Sequence, residues 1–265
     1  MNRFILASVA SLMFAAFPLF AQPGADELDD VVTAAAAMKA GIQQNGTSLR
    51  SLVNDFIILP VASPDPTPFV AITAASQAAI ETLTNDIITN IAQANNADAY
   101  INPAGIQSLA NQITTLGDAI ETQSLVLAGF VNAGDLPNGT ASAIQLRADL
   151  TQQFQWLRQI VEDTRQWQAA LAQYNVRVVL IDNTGNPIIG STGLMGYYAY
   201  NTFTDEYVYP DFLFNDEFSD IRGGNWTFGA YDGYFDGASS NNVTLDAALE
   251  GPDGFIPVTL VYWSE

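Results

Sequence analysis

The segment Leu171-Ala-Gln-Tyr-Asn-Val-Arg-Val-Val-Leu-Ile181 joins two parts of the chain that differ in pattern. Before it, apolar residues recur at steps of three and four in stretches rich in Ala, Gln, Leu and Thr, which is typical of amphipathic helices. After it come short alternating runs rich in Val, Tyr and Phe, separated by turn dipeptides such as Asp232-Gly233. We therefore predict a two-domain α + β protein, with an antiparallel four-helix bundle over residues 22–175 and an antiparallel β-sandwich over residues 176–265.

The first predicted helix carries a continuous stripe of inward-facing residues. Asn45 is the one polar residue in that stripe, and Gly41 and Gly46 leave a kink or a break open. Four prolines between residues 60 and 68 end the helix, because proline cannot donate a backbone hydrogen bond. The predicted stripe consists of Leu28, Val31, Ala35, Met38, Ile42, Asn45, Leu49, Leu52, Phe56 and Leu59.

Three more helices are predicted before the junction, and short polar links between them indicate antiparallel neighbours. They cover about residues 69–94, then the stretch from Pro103 to near Gly134, and a last stretch that ends at Leu171. The inward residues predicted for the second and fourth helices are Ile72, Ala79, Leu83, Ile87 and Ile91, and Ile144, Phe154, Leu157, Val161 and Leu171.

Residues 1–21 have the features of a secretory signal peptide. Arg3 supplies a positive start, an apolar run follows over residues 4–20, and Ala21-Gln22 is the expected cleavage point. A membrane anchor is the alternative, since the run is at the short limit for a span. We expect a secreted protein, extracellular or associated with a cell wall, whose mature form has no transmembrane segment.

The composition excludes several function classes. The chain has 265 residues, with 8 basic and 28 acidic side chains and a net charge of −20, so it repels the phosphates of nucleic acids. It contains no histidine and no cysteine, which excludes Ser-His-Asp and Cys-His catalysis, zinc sites and disulfides. Carboxylate chemistry, metals with oxygen ligands, and binding without chemistry are the classes that are left.

The helical part resembles the fungal group of hydrophobic-surface-binding protein A and cell-wall galactomannoproteins. The resemblance covers about residues 26–165 and rests on Leu28-Asp-Asp-Val-Val-Thr-Ala-Ala35, on Ile106-Gln-Ser-Leu109 with Leu116-Gly-Asp-Ala-Ile120, and on Val131-Asn-Ala-Gly134. It implies an extracellular or cell-wall location and binding to hydrophobic surfaces, and it supplies no catalytic residues.

The second part resembles the carboxypeptidase regulatory-like β-sandwich of transthyretin type, a prealbumin or immunoglobulin-like architecture. The matching runs are Val178-Val-Leu-Ile-Asp182 with Gly185-Asn-Pro187, Gly224-Asn-Trp-Thr-Phe228, and Val243-Thr-Leu245. The aromatic and acidic insert over residues 202–220 departs from that pattern. The resemblance implies an accessory module for adhesion, folding support or contact with glycans.

Acidic residues are dense in the second part, where 13 stand against Arg177 and Arg222. Carboxylate oxygens in turns are suitable ligands for Ca²⁺, so these residues could bind a structural calcium ion. The alternative interpretation is that they are solvated surface carboxylates. No further cofactor is expected. Paired carboxylates in residues 202–236 also allow glycoside hydrolysis in principle. The candidate calcium ligands are Asp216, Glu217, Asp220, Asp232 and Asp236.

Seven tyrosines of the second part are candidates for stacking on sugars or on a hydrophobic surface: Tyr197, Tyr198, Tyr200, Tyr207, Tyr209, Tyr231 and Tyr234. The alternative is that most of them form the core of the sandwich. The candidate ligand-binding residues are Tyr207, Tyr209, Trp226, Tyr231 and Tyr234. Glycosylation sequons, relevant in a eukaryotic source, begin at Asn45, Asn138, Asn225 and Asn242.

Together these patterns favour a non-enzymatic surface or cell-wall binding and adhesion protein. In this hypothesis the helical bundle contacts a hydrophobic or polysaccharide surface, and the sandwich is an accessory module. The alternative is a carbohydrate-active hydrolase that uses the carboxylates of residues 202–236.

Overall fold

The computed structural model describes residues 24–58, 60, 63–189, 192–210, 212 and 215–264. Within them, a four-helix domain is followed by a domain of two β-sheets, which confirms the predicted fold class. The predicted signal peptide, residues 1–21, lies outside the described residues.

The bundle consists of four long helices that run antiparallel, each packed against two others. Gly134 ends the third helix with φ +66°, a left-handed conformation that glycine adopts without strain. Asp135 caps the fourth helix, because its side chain accepts a hydrogen bond from the Asn138 N–H. The helices are α1 (Ala25–Val53), α2 (Thr67–Ala97), α3 (Ala104–Ala133) and α4 (Leu136–Leu171), and a π-helical turn, Asn54–Ile58, extends α1.

The stripe predicted for α1 is confirmed. Each of its residues from Leu28 to Phe56 is buried, and Leu59 lies outside the described residues. The helix runs without interruption through Gly41 and Gly46, so neither glycine breaks it.

The stripes predicted for α2 and α4 are partly wrong. Ala79 and Phe154 are exposed, and 66% of Ile144 is accessible to solvent. Polar residues take inward positions instead, above all Gln77 and Gln153, whose side-chain amides join at 2.9 Å between Gln153 Nε2 and Gln77 Oε1. Apolar periodicity does not find such positions, because a buried amide that has a partner looks like a surface residue in the sequence.

Eight strands form the second domain. They lie in two four-stranded sheets, in the orders β4-β1-β8-β6 and β3-β2-β5-β7. The strands are β1 (Gln173–Ile181), β2 (Tyr197–Asn201), β3 (Glu206–Val208), β4 (Glu217–Arg222), β5 (Gly224–Ala230), β6 (Asp236–Ala238), β7 (Asn241–Leu245) and β8 (Phe255–Ser264).

Two details of the predicted sandwich need correction. Strand β1 begins at Gln173, ahead of the predicted boundary at residues 175 and 176, because α4 ends at Leu171 and Ala172 is already extended. Strands β1 and β8 pair in parallel from Asn175 to Ile181, so the first sheet is mixed. The other paired strands of the described residues are antiparallel, as predicted.

One end of the bundle packs against the sandwich. Arg222 on β4 forms an ion pair with Asp98 at 2.7 Å, and its guanidinium lies over the ring of Tyr100, 4.1 Å from the ring centroid. Trp167 on α4 contacts Phe203 of the β2–β3 connection, with ring centroids 4.8 Å apart. This joint holds the β2–β3 hairpin against the bundle.

Candidate binding face

Five tyrosines lie together on the outer side of the sheet β3-β2-β5-β7. Side chains alternate across a strand, so Tyr198 and Tyr200 of β2 face outward while Ala199 between them is buried. Tyr200 is paired with Tyr207 of β3 in the antiparallel register. Tyr209 follows β3 and Tyr231 follows β5. We call these five residues, Tyr198, Tyr200, Tyr207, Tyr209 and Tyr231, the tyrosine face.

The rings of the tyrosine face contact one another. Tyr200 and Tyr207 stack at 4.5 Å between centroids, and Tyr207 and Tyr209 are nearly parallel, at 14° and 6.5 Å. Tyr198 lies 5.2 Å from Tyr231 and 6.1 Å from Tyr207. Even so, about half of Tyr207 (53%) and Tyr209 (54%) and 44% of Tyr231 stay accessible. The result is a contiguous, exposed aromatic surface on a rigid sheet.

A glycine lets this surface lie close to the sheet. Gly229 of β5 is paired with Tyr198, and a Cβ atom at Gly229 would lie 2.4 Å from the Tyr198 hydroxyl and ring. Any other residue would therefore push the ring of Tyr198 away from the sheet.

Polar side chains continue the same side of the sheet next to the tyrosines. Thr227 Oγ1 donates to Asn242 Oδ1 at 2.7 Å, and Thr244 Oγ1 donates to Asn225 Oδ1 at 2.6 Å. Thr227 is paired with Tyr200 on one side and with Asn242 on the other. We call Asn225, Thr227, Asn242 and Thr244 the amide ladder. The outer side of the sheet thus combines stacking rings with hydroxyl and amide groups.

The hairpin that carries part of the tyrosine face is fixed at its turn. Asn201 Oδ1 accepts the Phe203 N–H at 2.9 Å, and Tyr100 of the bundle donates its hydroxyl to Glu206 Oε2 at 2.7 Å. Asp205 lies between these contacts with φ +55°, a left-handed conformation that is uncommon for a residue other than glycine. Tyr200 donates its hydroxyl to Asp205 Oδ1 at 3.1 Å. A carboxylate is therefore held at the edge of the aromatic surface.

Hydrogen bonding raises the pKa of two hydroxyls on the tyrosine face. The hydrogen bond with Tyr209, followed by a smaller desolvation effect, raises the pKa of Tyr231 to about 12. The hydrogen bond to Asp205 likewise raises the pKa of Tyr200. These two hydroxyls are protonated at neutral pH, and each donates a hydrogen bond to its neighbour.

The structure separates the five predicted ligand-binding residues. It brings Tyr207, Tyr209 and Tyr231 together on the tyrosine face. Trp226 was a wrong prediction, because only 3% of it is exposed and its indole Nε1 donates to the Arg222 carbonyl at 2.7 Å inside the sandwich. Tyr234 is 97% exposed, but it lies beside Phe235 on a loop outside the tyrosine face.

Two members of the tyrosine face, Tyr198 and Tyr200, are among the seven tyrosines predicted as stacking candidates but not among the five candidate ligand-binding residues. Their spacing of two residues within a strand was the available signal, since it places both rings on one side of the sheet. The sequence does not show which side is outward, because an aromatic strand residue fits the core equally well.

The five predicted calcium ligands do not form the expected cluster. Among the described residues there is no group of three or more carboxylates placed to hold a metal ion. Glu217 is instead paired with Arg177 at 2.9 Å, and Asp236 accepts a hydrogen bond from the Tyr262 hydroxyl. Asp216, Asp220 and Asp232 are exposed.

The predicted sequons differ in accessibility. Asn45 is fully buried in the bundle and accepts a hydrogen bond from Thr73 Oγ1 at 2.7 Å, so the folded domain has no room for a glycan there. This prediction is therefore wrong for the native fold. Asn138, Asn225 and Asn242 are exposed, and the last two belong to the amide ladder.

The bundle carries an apolar groove between α1 and α4. Its volume is about 910 Å³, and Ile58, Ile144 and Phe154 are exposed along it. Arg50 and Arg147 also line the groove. This is the kind of surface that the hydrophobic-contact hypothesis requires on the helical domain.

Comparisons with known proteins do not assign the chain to a family. No protein-family model, no curated protein and no solved structure matches it. The two family resemblances therefore stay predictions. Among the described helices, none combines the length and the apolar character needed to span a bilayer.

Proposed function

We propose that this protein is a secreted, non-enzymatic binding protein that attaches to a cell-wall polysaccharide through the tyrosine face. The observation that carries the proposal is the contiguous cluster of five tyrosines on the outer side of the sheet, of which Tyr207, Tyr209 and Tyr231 are exposed. Exposed aromatic clusters of this kind are uncommon on surfaces that bind nothing.

The chemistry of the face suits a sugar polymer. Aromatic rings pack against the apolar faces of pyranose rings, and a binding site needs a small number of polar groups to fix orientation. The amide ladder provides such groups directly beside the rings, with Thr227 paired to Tyr200 across the strands. An extended polymer lying across the sheet would meet rings first and hydrogen-bonding groups next.

The absence of catalysis in this proposal rests on how the nearby carboxylates are used. Glu206, Glu217 and Asp236 are hydrogen-bonded to Tyr100, Arg177 and Tyr262 respectively. These contacts hold the hairpin and the strands together. They give these three carboxylates structural partners, so the exposed Asp216, Asp220 and Asp232 are the acids of this region on which the alternative of a glycoside hydrolase would depend.

The groove of the bundle supports a second contact. Its exposed Ile58, Ile144 and Phe154 face away from the helical core, and they offer an apolar area for a hydrophobic surface. In this proposal the sandwich recognises the polymer and the bundle adds adsorption to apolar material.

The proposal is tested by sedimentation with insoluble polysaccharides and by calorimetry with soluble oligosaccharides. The double variant Tyr200→Ala/Tyr207→Ala should lose about 30-fold in affinity, the loss expected when an aromatic hot spot of about 2 kcal/mol is removed. Tyr234→Ala is the control, because it removes an exposed tyrosine, 97% accessible, that lies outside the tyrosine face. Wild-type protein that stays in solution with every polysaccharide tested would refute the proposal, and release of reducing sugar would favour the hydrolase.

A further inference from the structure

We infer that the polymer bound by the tyrosine face is a cationic amino-sugar polymer, of the kind formed by protonated glucosamine units. This inference rests on the proposed function and adds the charge of the ligand. It follows from the charges of the sandwich and from the place of Asp205 beside the rings.

The sandwich has no spare positive charge to offer an anionic polymer. Residues 176–265 contain two basic residues, Arg177 and Arg222, against 13 acidic ones. Arg177 is engaged by Glu217 at 2.9 Å and by Asp253 at 2.6 Å. Arg222 is engaged by Asp98 at 2.7 Å. A polymer of uronic acids or sulfated sugars would therefore be repelled, whereas a polymer of ammonium groups would be attracted.

The tyrosine face itself favours ammonium groups. The faces of aromatic rings carry partial negative charge, and they attract a cation that lies over them. Tyr207, Tyr209 and Tyr231 are about half exposed, so their rings are open to such a contact. An ammonium on a sugar ring thus gains a cation–π contact in addition to stacking.

Asp205 supplies a full negative charge at the edge of the same rings. Its Oδ1 accepts the Tyr200 hydroxyl at 3.1 Å, and its side chain is exposed. The turn is held on both sides, by the Phe203–Trp167 contact at 4.8 Å and by the Tyr100–Glu206 hydrogen bond at 2.7 Å. The carboxylate is thus positioned before any ligand arrives, which lowers the entropic cost of an ion pair.

The test compares two oligosaccharides of equal length, a β-1,4-linked glucosamine hexamer and its fully N-acetylated form. Binding is measured by calorimetry on the full chain, at a pH where the amines are protonated. At low salt, the glucosamine hexamer should bind about tenfold more tightly, and high salt should reduce this preference because exposed charges are screened.

Two variants separate specific recognition from general attraction to an acidic protein. Asp205→Asn should reduce the preference about threefold, while Asp86→Asn, which removes the same charge from an exposed site on α2, should leave it unchanged. Tyr200→Ala/Tyr207→Ala keeps the net charge and should weaken the binding of both hexamers about 30-fold.

The outcomes distinguish the inference from the proposed function. Equal or tighter binding of the N-acetylated hexamer, weakened by the tyrosine variant, would overturn the inference and leave the proposed function standing. Glucosamine binding that survives the tyrosine variant would show non-specific attraction and would also overturn it. If neither hexamer binds, nor any polysaccharide, both fail.

Discussion

The two domains bury polar groups in different ways. Of the buried polar side chains in the described residues, all except Asn201 lie in the bundle. Three of their atoms, Asn45 Nδ2, Gln77 Nε2 and Gln153 Oε1, have no hydrogen-bond partner within the described part of the chain. The sandwich core consists instead of aromatic and aliphatic residues such as Phe218, Phe228 and Ile256. The tyrosine face and the amide ladder lie on its outer surface.

This difference indicates that the two domains have different tasks: buried polar pairs contribute to the stability of the bundle, whereas the outer surface of the sandwich is suited to recognition. Buried amides cost free energy when they are incompletely paired, but they select one helix register over others. The sandwich core contains few buried polar groups, and its hydroxyl and amide groups lie on the outer side of the sheet. We therefore expect substitutions to act on the bundle through polar pairing and on the sandwich through packing.

The largest effect is expected in the sandwich core. Phe228→Ala should lower the free energy of unfolding of this domain by about 3–5 kcal/mol, because it opens a cavity beside Phe218, whose ring centroid lies 5.5 Å away. Hydrogen exchange of the β5 amides reports the change locally. The exposed Tyr231→Ala serves as control, and a loss below about 1 kcal/mol for Phe228→Ala would contradict the packed core.

The amide pair of the bundle is expected to show strong coupling. Gln153→Leu should destabilise the bundle by about 1–3 kcal/mol, because Gln77 Oε1 then loses the donor at 2.9 Å. Gln77→Leu/Gln153→Leu removes both amides and should recover most of that loss. A double-mutant cycle by urea unfolding measures the coupling, and additive single effects would refute the idea of a functional pair.

The joint between the domains should depend on pH at both extremes. Burial pushes the pKa of Asp98 upward, but hydrogen bonds from Arg222 and the Tyr100 N–H outweigh it and hold this pKa below its usual range. Such a lowered pKa gives stability that is present above about pH 4, the ordinary Asp value, and is lost as the pH falls.

At high pH the group in this joint that titrates is the Tyr100 hydroxyl. Burial, together with Glu206, raises the pKa of Tyr100 to about 12, so its contribution is full below about pH 10 and is lost as the pH rises through 12. Thermal unfolding against pH should show both losses. Arg222→Met should cost about 1–2 kcal/mol near neutral pH and should flatten the acidic branch. An acidic branch identical to wild type would contradict this account of the joint.

The smallest effect is expected from glycines in the bundle. Gly46→Ala should stabilise α1 by about 0.5–1 kcal/mol, because a Cβ there meets nothing within 4 Å and alanine favours the helix. Gly139→Ala should do the opposite, since its Cβ would lie 2.5 Å from Phe56 Cε1. The melting temperatures of the two variants test this pair of predictions. Shifts of the same sign would show that local packing does not distinguish the two glycine sites.

Periodicity predicted much of the fold but less of the binding face. The α1 stripe is correct through Phe56, because steps of three and four place residues on one side of any helix. The same reasoning failed at Ile144, because α4 buries the nearby Ala143 and Leu146 instead, and spacing along one helix does not say which side packs. Trp226 was predicted to bind a ligand but lies in the core. The prediction failed because alternation along a strand separates its two sides without showing which side is buried.

The sequence by itself determined the division into a helical and a β domain, the excess of acids over bases, and the chemistry excluded by the lack of histidine and cysteine. These properties depend on local sequence patterns or on residue counts, so the sequence alone is enough to establish them. Only the tertiary structure decided that Tyr198, Tyr200, Tyr207, Tyr209 and Tyr231 meet on one surface, and that Asp205 stands beside them. Strand order and outward direction depend on contacts between residues far apart in the chain, and no local pattern encodes them.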